Sequence, residues 1–584
     1  MSVAYDFSPR EQARNDRFLA AAKARMDAIR ARDLPPCAAS NTDIIDIAGF
    51  TRTQSRIGEE QRFAPTEGAV RAVLSDPAFW AAAAHLPDND IHSPRLWKGA
   101  PLHYPSWCLF AVTTLAGIQE IGSIRGAIEW LSGPRNWQMF AETADQFAPE
   151  GWTRVGTLPQ RGKRARYRRH AERNGIDIAR APYLPAADPP LMHHVDYYLT
   201  RWRAQPVTDA LGRTTPHPWH GVRTAVHQQF RIDAMNRAQA LGYLDPTAQF
   251  DWNNPRRTQA IGFDGTKFTF RNAPGATASM ARWLVGGRGP EITASNIVFA
   301  SVRGDDWRTR IILDFAHSGT HPASEGTGEA ATIEILHNRL KTQANGGYQI
   351  MLVDSIVRGR QVTRLERGGT AVVCYPHALR SGGTRTLHTD RANTWTRRAN
   401  PNRRERSHLR KTHTHIDRNG APCSHLIFVT AGVMVHVVEN SDGTLSPIPV
   451  TVTRYRRKRN TDGTIRAFYD IEIPCHNDES GVTRVSVPLF HTDATSTDPA
   501  ANWGEYVRTW GPHTAQFGYL YGRRNDTESW HNTVKRTMRY MLHDASGQLA
   551  RCLGAAIAEN AMAWALDLRA RGMRNPFDDT YQPT

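Results

Sequence analysis

TQAIGFDGTKFTF, residues 258–270, opens the stretch whose reading decides the fold. It is the first of three short β-rich runs. SNIVFASV (295–302) and TRIILDFAH (309–317) follow it, separated by turn or loop material. Helical spacing then predicts a helix over Gly328–Gln343, GEAATIEILHNRLKTQ. The continuous apolar run YQIMLVD (348–354) reads as a buried strand, because a strand covered on both faces has no polar side to show. A short helix and the strand TAVVCYP (370–376) complete the block. The order β-β-β-α-β-α-β places the chain in the α/β class.

Outward from this core the character changes. Residues 1–150 read as helical, with apolar residues at helical spacing over Pro65–Ala84 and Ser106–Leu131. Within the latter, GIQEIGSIRGAIEWL reads as two apolar-faced helices around a Gly-Ser turn, either a helix-turn-helix or an ordinary helical hairpin. The basic run RGKRARYRRHAER (Arg161–Arg173) and a Pro-rich join near Pro182–Pro190 lead to helices carrying Tyr197, Tyr198 and Trp202. On the far side, Thr384–Arg410 is rich in Arg and turn residues, and Asn440–Gly443 and Asn460–Gly463 are good hairpin turns. Five regions follow: a helical N-terminal DNA-binding region (1–185), a helical connector (186–257), the first part of the core (258–375), a β-rich insertion (376–505), and C-terminal helices completing the core (506–584), with an apolar run at Leu549–Leu568.

Composition narrows the function. In 584 residues there are 73 Lys+Arg against 56 Asp+Glu, a net charge of +17. Of the basic residues 65 are Arg and 8 are Lys; an arginine fork suits phosphate, although a coding bias gives the same ratio. The balance points to nucleic acid or another polyanion, with binding that weakens steeply as salt rises. Six cysteines without a CxxC pair exclude a disulfide scaffold. The first 30 residues are charged throughout, and the longest apolar stretches, such as Leu426–Val438, fall short of the roughly 20 residues of a membrane span. A soluble cytoplasmic protein, associated with the nucleoid and not with a membrane, is expected.

Three acids stand out by position. Asp264 ends the first strand before Gly265-Thr266, Asp354 ends the buried strand, and Glu528 lies on a helix in YGRRNDTESWHNTVKR. Taken singly, Asp264 also reads as a turn residue and Asp354 as a strand-end cap. Taken together, clustered carboxylates repel one another, and Mg²⁺ or Mn²⁺ removes that penalty by taking oxygen ligands while leaving positions for water and phosphate. Two such ions about 4 Å apart activate a nucleophile and stabilise the leaving oxygen of a phosphodiester. On one continuous helix Tyr521, Arg524, Glu528 and Lys535 share a face. An acid, two cations and a phenol make a poor core seam, which leaves a solvated charged face or a phosphate-facing one.

The spacing Tyr521-x₂-Arg524-x₃-Glu528-x₆-Lys535 resembles the Y-R-E-K signature of bacterial insertion-sequence transposases with DDE catalytic sites. FDGTK around Asp264, Asp354 after a buried strand and a β-rich insertion before the last Glu extend the resemblance over about residues 258–545. It implies an RNase H-like catalytic core and a transposase that binds the terminal inverted repeats of its own mobile element. Asp264, Asp354 and Glu528 are then the catalytic residues and the metal ligands for two Mg²⁺ (or Mn²⁺) ions; Tyr521, Arg524 and Lys535 are the DNA-binding residues. Nicking is followed by attack of the freed 3′-hydroxyl on target DNA, and a homodimer working in trans is the expected assembly. Where the family often has a basic or Gly-Tyr stretch after the second Asp, this chain has Ser355-Ile356-Val357-Arg358-Gly359.

Other features compete. Cys374-x₂-His377 and the group His413, His415, Cys423 and His425 suggest zinc, with spacings that fit no common zinc pattern. The run Arg454–Arg459 reads as a phosphate-contacting surface like Arg161–Arg173, and Trp395 and Tyr455 as platforms for an unpaired base. A metal-dependent nuclease without strand transfer, or a non-catalytic DNA-binding derivative of a transposase, would share much of this sequence. The latter has no use for three acids.

Overall fold

A computed structural model describes residues 66–87, 104–133, 135–149, 188–204, 217–269, 281–284, 291–304, 309–318, 325–354, 356–375, 396–400, 403–416, 422–430, 433–439, 445–474, 482–489, 507–511, 514–537 and 544–571, with a few isolated positions besides. The basic run Arg161–Arg173, His377, Trp395 and the turn Asn440–Gly443 lie outside these residues or almost wholly so. The described chain is mixed α/β and divides into two units. The first draws on residues within 61–249, 257–357 and 523–584, and the second on 250–256 and 358–522.

In the first unit the chain runs through α1 (Thr66–Ser75), α2 (Pro77–Ala83), α3 (Ser106–Leu115), α4 (Ile124–Leu131), α5 (Asn136–Phe147), α6 (Met192–Arg203) and α7 (Pro218–Ala240). The helical span expected over Pro65–Ala84 is broken at Asp76. That carboxylate accepts from the Ala78 N–H at 2.9 Å with Pro77 in the first turn, so Asp76 caps a new helix. It also accepts from Arg237 of α7 at 2.7 Å, which fixes the corner to the long helix. GIQEIGSIRGAIEWL carries one helix, α4, and its first half forms turns. Gly122 takes a φ of 67°, and the Ser123 hydroxyl caps α4 by accepting from the Gly126 N–H at 2.9 Å. The preceding α3 is buried along its whole length, as a core helix is.

The sheet follows the expected order with one strand added, β2: β1 (Ala260–Thr269), β2 (Ala281–Leu284), β3 (Glu291–Arg303), β4 (Arg310–His317), the helix α8 (Glu325–Gln343) and β5 (Ile350–Val353). β1 and β3 pair antiparallel, and β3 pairs antiparallel with β4 and, near its start, with β2. β5 lies parallel to β1, with Ala260 opposite Ile350 and Phe263 opposite Val353. β3 begins earlier than its apolar run because Glu291–Ala294 pairs with β2. Ile311, Ile312 and Leu313 of β4, and Ile350 through Val353 of β5, are buried consecutively, so both faces of these strands are covered.

The second unit takes up the chain with α9 (Gly359–Arg367) and β6 (Ala371–Val373). Two antiparallel meanders follow. One runs in the order β7 (Thr396–Asn400), β8 (Arg403–Ile416), β9 (Pro422–Thr430), β10 (Val433–Glu439) and β11 (Leu445–Pro449), and the other is β12 (Thr451–Arg459), β13 (Ile465–Pro474) and β14 (Val482–Pro488). Ile427, Met434, Ile471, Ile473, Val485 and Val487 form their shared core. The turn between β12 and β13 is the one expected at Asn460–Gly463, with Gly463 at a φ of 79°.

The unit is wider than the expected insertion at 376–505. Glu366 of α9 is buried and accepts from the Thr509 hydroxyl at 2.5 Å and the Val372 N–H at 3.2 Å; burial pushes it up to about 7. Arg508, also buried, donates to the Cys374 carbonyl at 3.2 Å. These bonds tie the two flanks of the meanders to each other. Residues 250–256 join them through Trp252, whose carbonyl accepts from the Trp510 indole at 3.0 Å. Tyr455 is stacked on Trp252, with ring centroids 5.0 Å apart, and packs edge-on against Tyr469. It is a packing residue here, not an open platform. Along β12, Arg456 is bound to Asp470 at 2.6 and 2.9 Å and Arg457 lies 3.8 Å over the Trp252 ring, while Arg454, Lys458 and Arg459 are exposed. The basic run is therefore partly a structural device. α10 (Ala515–Tyr521) closes the unit.

The chain re-enters the first unit at Arg523 and forms α11 (Asn525–Thr537) and α12 (Ala545–Ala570). No helix among the described residues is long and apolar enough to cross a membrane. α12 contains the apolar run Leu549–Leu568 and packs against β4. Its Asn560 carboxamide is buried, accepting from the Ile312 N–H at 2.8 Å and donating to the Ile312 carbonyl at 2.9 Å. One side chain thus imitates a neighbouring strand at an otherwise open stretch of backbone. Asn560→Leu strands both Ile312 groups, and a loss of about 2–4 kcal/mol in unfolding free energy is expected by denaturant titration. A loss under about 0.5 kcal/mol would mean that the edge finds another partner.

Candidate active site

Asp264 and Asp354 come together through register. Phe263 and Val353 are opposite each other on adjacent parallel strands, so the two aspartates are the next residues along each. The sheet thereby brings together a carboxylate from the middle of β1 and one just past the end of β5. Asp264 does not end its strand as expected, because Gly265–Thr269 continue the pairing with β3. Asp264 keeps one oxygen on the Gly265 N–H at 3.0 Å. A Cβ at Gly265 would meet the Glu329 carboxylate of α8 at 2.3 Å, so any side chain there would displace that carboxylate.

The cation between the acids is Arg524. Its Nη2 lies 3.7 Å from Asp264 Oδ2 and 3.8 Å from Asp354 Oδ2, with the arginine side chain 15% exposed. These are ion-pair distances longer than hydrogen bonds, so one guanidinium group serves two carboxylates without gripping either.

Arg524 does not continue a single helix from Tyr521. α10 ends at Tyr521, Gly522–Arg524 form a 3₁₀ turn, and α11 starts at Asn525. Arg523 explains the tighter turn, because its guanidinium donates to the carbonyls of Arg303 and Gly304 at the end of β3. The shared face therefore begins after the turn. Tyr521 belongs to the second unit, where its ring stacks on Phe517 at 4.8 Å and meets Tyr375 edge-on at 5.0 Å.

α11 is seated on β1 and β3 by its buried face of Thr527, Trp530, His531 and Val534. Trp530 packs edge-on against Phe299 of β3. The Thr527 hydroxyl hydrogen-bonds with that of Ser301 at 3.2 Å and sits where a Cβ on Gly262 would come within 2.8 Å of it. Gly262 is thus the residue that lets the helix approach β1, two positions from Asp264. Glu528 is the next residue after Thr527 in this seated helix; its side chain lies outside the described ones.

Lys535 lies near the end of α11, exposed as a whole but with its ammonium group half-buried. Loss of solvent around its ammonium group holds it below the usual lysine range, Lys267 adds to that effect, and the Asp264 charge opposes it. Three of the expected site residues, Asp264, Asp354 and Arg524, therefore meet at one point, and Lys535 is linked to them through the charge of Asp264. Glu528 is placed by its backbone alone.

His531 is a site residue that the sequence reading passed over. It is buried, and its Nδ1 lies 3.7 Å from Asp264 Oδ2. Burial, followed by the charges of Lys535, Arg310 and Arg524, pushes it down to about 3, so it stands neutral beside the acid. The signal was its spacing, three residues after Glu528 and four before Lys535, which puts it on the same helix face. A histidine that is neutral when folded takes up its proton first in the unfolded chain. Its contribution is intact above about pH 6.5 and is lost as pH falls toward 3. The stability lost between pH 7 and pH 5 should shrink by about 2 kcal/mol in His531→Gln. Parallel pH–stability curves for the two proteins would show that His531 titrates normally.

Asp314, the fully buried acid of β4, has a structural explanation. His227 lies 2.9 Å from one oxygen and Arg231 3.6 Å from the other, so it anchors α7 to the sheet.

The chain matches no protein-family model, no curated protein and no solved structure in the comparisons made.

Proposed function

We propose that this chain is a DNA transposase with an RNase H-like catalytic core. It binds the terminal inverted repeats of its mobile element, cleaves DNA strands with Mg²⁺ or Mn²⁺, and joins the freed 3′ ends to target DNA. The observation that carries this reading is the convergence of Asp264 and Asp354 on Arg524, at the entrance to the helix that holds Glu528. The strand arrangement supports it. An antiparallel succession β1, β3, β4 followed by a helix and a strand parallel to β1 on its other edge is the arrangement expected of an RNase H-like sheet.

The two aspartates offer only oxygen donors and share the Arg524 guanidinium, a set that suits a hard divalent cation. Bound there, Mg²⁺ or Mn²⁺ supplies activation of the attacking oxygen and stabilisation of the leaving one. The chain's own residues do the rest. Asp264, Asp354 and Glu528 would hold the cation beside the reacting phosphate. Arg524 offsets one of the pair's two negative charges before DNA arrives and offers its fork to a phosphate when it does. Lys535 extends the cationic rim, and Tyr521 is a contact for the DNA end. Because His531 is neutral, it adds no competing positive charge beside Asp264.

Incubating the full chain with Mg²⁺ and duplexes carrying the element's ends should give nicks at the end boundary and joined products. Nicks without joining would favour the nuclease reading, and end binding without either would favour a DNA-binding protein.

A further inference from the structure

The second unit carries a cluster of soft and borderline donors on one sheet face. In the β8–β9 hairpin His415 is paired with Cys423 and His413 with His425. Ile427, two residues on from His425, is opposite His436 of β10. Residues two apart on a strand share a face, so Cys423, His425, His415 and His436 project from the same side. Cys423, His425 and His436 are all 1% exposed or less.

Their contacts are specific. Cys423 Sγ lies 3.4 Å from His425 Nε2, and His425 Nδ1 lies 3.1 Å from His436 Nε2. The His415 ring is stacked on that of His425, its plane 7° from parallel, with centroids 4.9 Å apart. One ligand atom each from His415, Cys423 and His425 falls within 4.8 Å of the others. The His415 Nδ1 is buried without a hydrogen-bond partner among the described residues. A buried imidazole nitrogen left so is costly unless something else takes its lone pair or proton.

We propose that His415, Cys423 and His425 form a binding site for a borderline-soft divalent metal of the zinc class. His436 acts as the positioning residue. Ligands at about 2.0–2.3 Å from a tetrahedral ion stand roughly 3.3–3.8 Å apart. The Cys423–His425 pair is already at that spacing, and an inward shift of His415 by about 1 Å brings in the third ligand. The hydrogen bond to His436 uses Nδ1 of His425 and leaves Nε2 to point at the thiol, the second-partner arrangement common to metal-bound histidine. Binding displaces the Cys423 proton to solvent, leaving a thiolate on the metal. Three protein ligands leave a fourth position for water or an incoming donor. This chemistry differs from the all-oxygen pair at Asp264 and Asp354, so Mg²⁺ does not compete for it. Zinc-finger spacing rules miss the site because its ligands face one another across a hairpin instead of bracketing a short loop.

The test is a cobalt titration of the chelator-treated full-length protein in excess Mg²⁺, which occupies the hard oxygen site. A thiolate-to-cobalt charge-transfer band should saturate at one ion per chain and be displaced by Zn²⁺. The band should vanish in Cys423→Ser. Affinity should fall at least about tenfold in His415→Ala, and about 10–100-fold in His436→Phe, as for removal of a partner that orients a ligand. Wild-type protein without the band, a band that survives Cys423→Ser, or unchanged cobalt affinity in His415→Ala would each overturn the proposal. The first of these readings does not depend on how any variant folds.

Discussion

Asp264→Asn and Asp354→Asn should each abolish Mg²⁺-dependent nicking of an element end, by a factor above about a hundred, while the protein stays folded. Even losing a residue that merely orients a metal ligand costs about 10–100-fold, so losing a ligand should cost more. Folding is spared for a local reason. The bond from the Gly265 N–H goes to Asp264 Oδ1, and an asparagine oxygen accepts it equally well. Asparagine matches aspartate in size, so neither variant introduces bulk. The decisive readings are nicking rate and thermal midpoint on the same preparations. Wild-type nicking by either variant removes that aspartate from the site, and a collapsed midpoint makes it a structural residue.

The second large effect separates roles along the turn and helix from Arg524 to Lys535. Glu528→Gln removes a negative charge but keeps every cation, so cleavage should stop while end binding stays level or tightens slightly. Arg524→Ala should weaken the end complex by about 1–3 kcal/mol, the worth of a charge-assisted contact, with Lys535→Ala similar. Arg524→Lys should rescue only part, because a point charge cannot reproduce a fork. The ion-pair geometry adds a further expectation for Arg524→Ala. With the shared guanidinium gone, Asp264 and Asp354 repel each other, so this variant should gain more thermal stability from Mg²⁺ than wild type does. Gel-shift affinity, nicking rate and melting with and without Mg²⁺ settle the division. Equal loss of binding in Glu528→Gln and Arg524→Ala would make the helix a structural element without separate roles.

Much of this was readable in the sequence because period and position are local properties. The three β-rich runs, the Gly328–Gln343 helix and the apolar strand before Asp354 each carry their own hydrophobic pattern, and each forms. What sequence periodicity cannot supply is pairing. That Asp264 and Asp354 are neighbours depends on the parallel register of β1 with β5, set by packing around Phe263 and Val353. The continuous helix through Tyr521 and Arg524 fails for a related reason. A wheel assumes unbroken geometry, whereas Arg523 finds carbonyl partners on β3 and tightens the turn. His531 went unnoticed because a single histidine on an apolar face usually signals packing; its meaning comes from Asp264, distant in sequence. Likewise, the second unit reaches back to α9 and forward to α10 through buried bonds such as Thr509 to Glu366 that no local pattern announces.

The most direct measurement of the central claim supplies element ends already cut to expose a 3′-hydroxyl, with target DNA, Mg²⁺ and the full-length chain. Joining then no longer depends on prior cleavage, and it separates a transposase from a nuclease using the same acids. The account predicts covalent end–target products with the wild-type protein, and none with Asp264→Asn despite end binding close to wild type. Wild-type protein that binds these ends and forms no joined product, or Asp264→Asn that joins them as well as wild type, would contradict it.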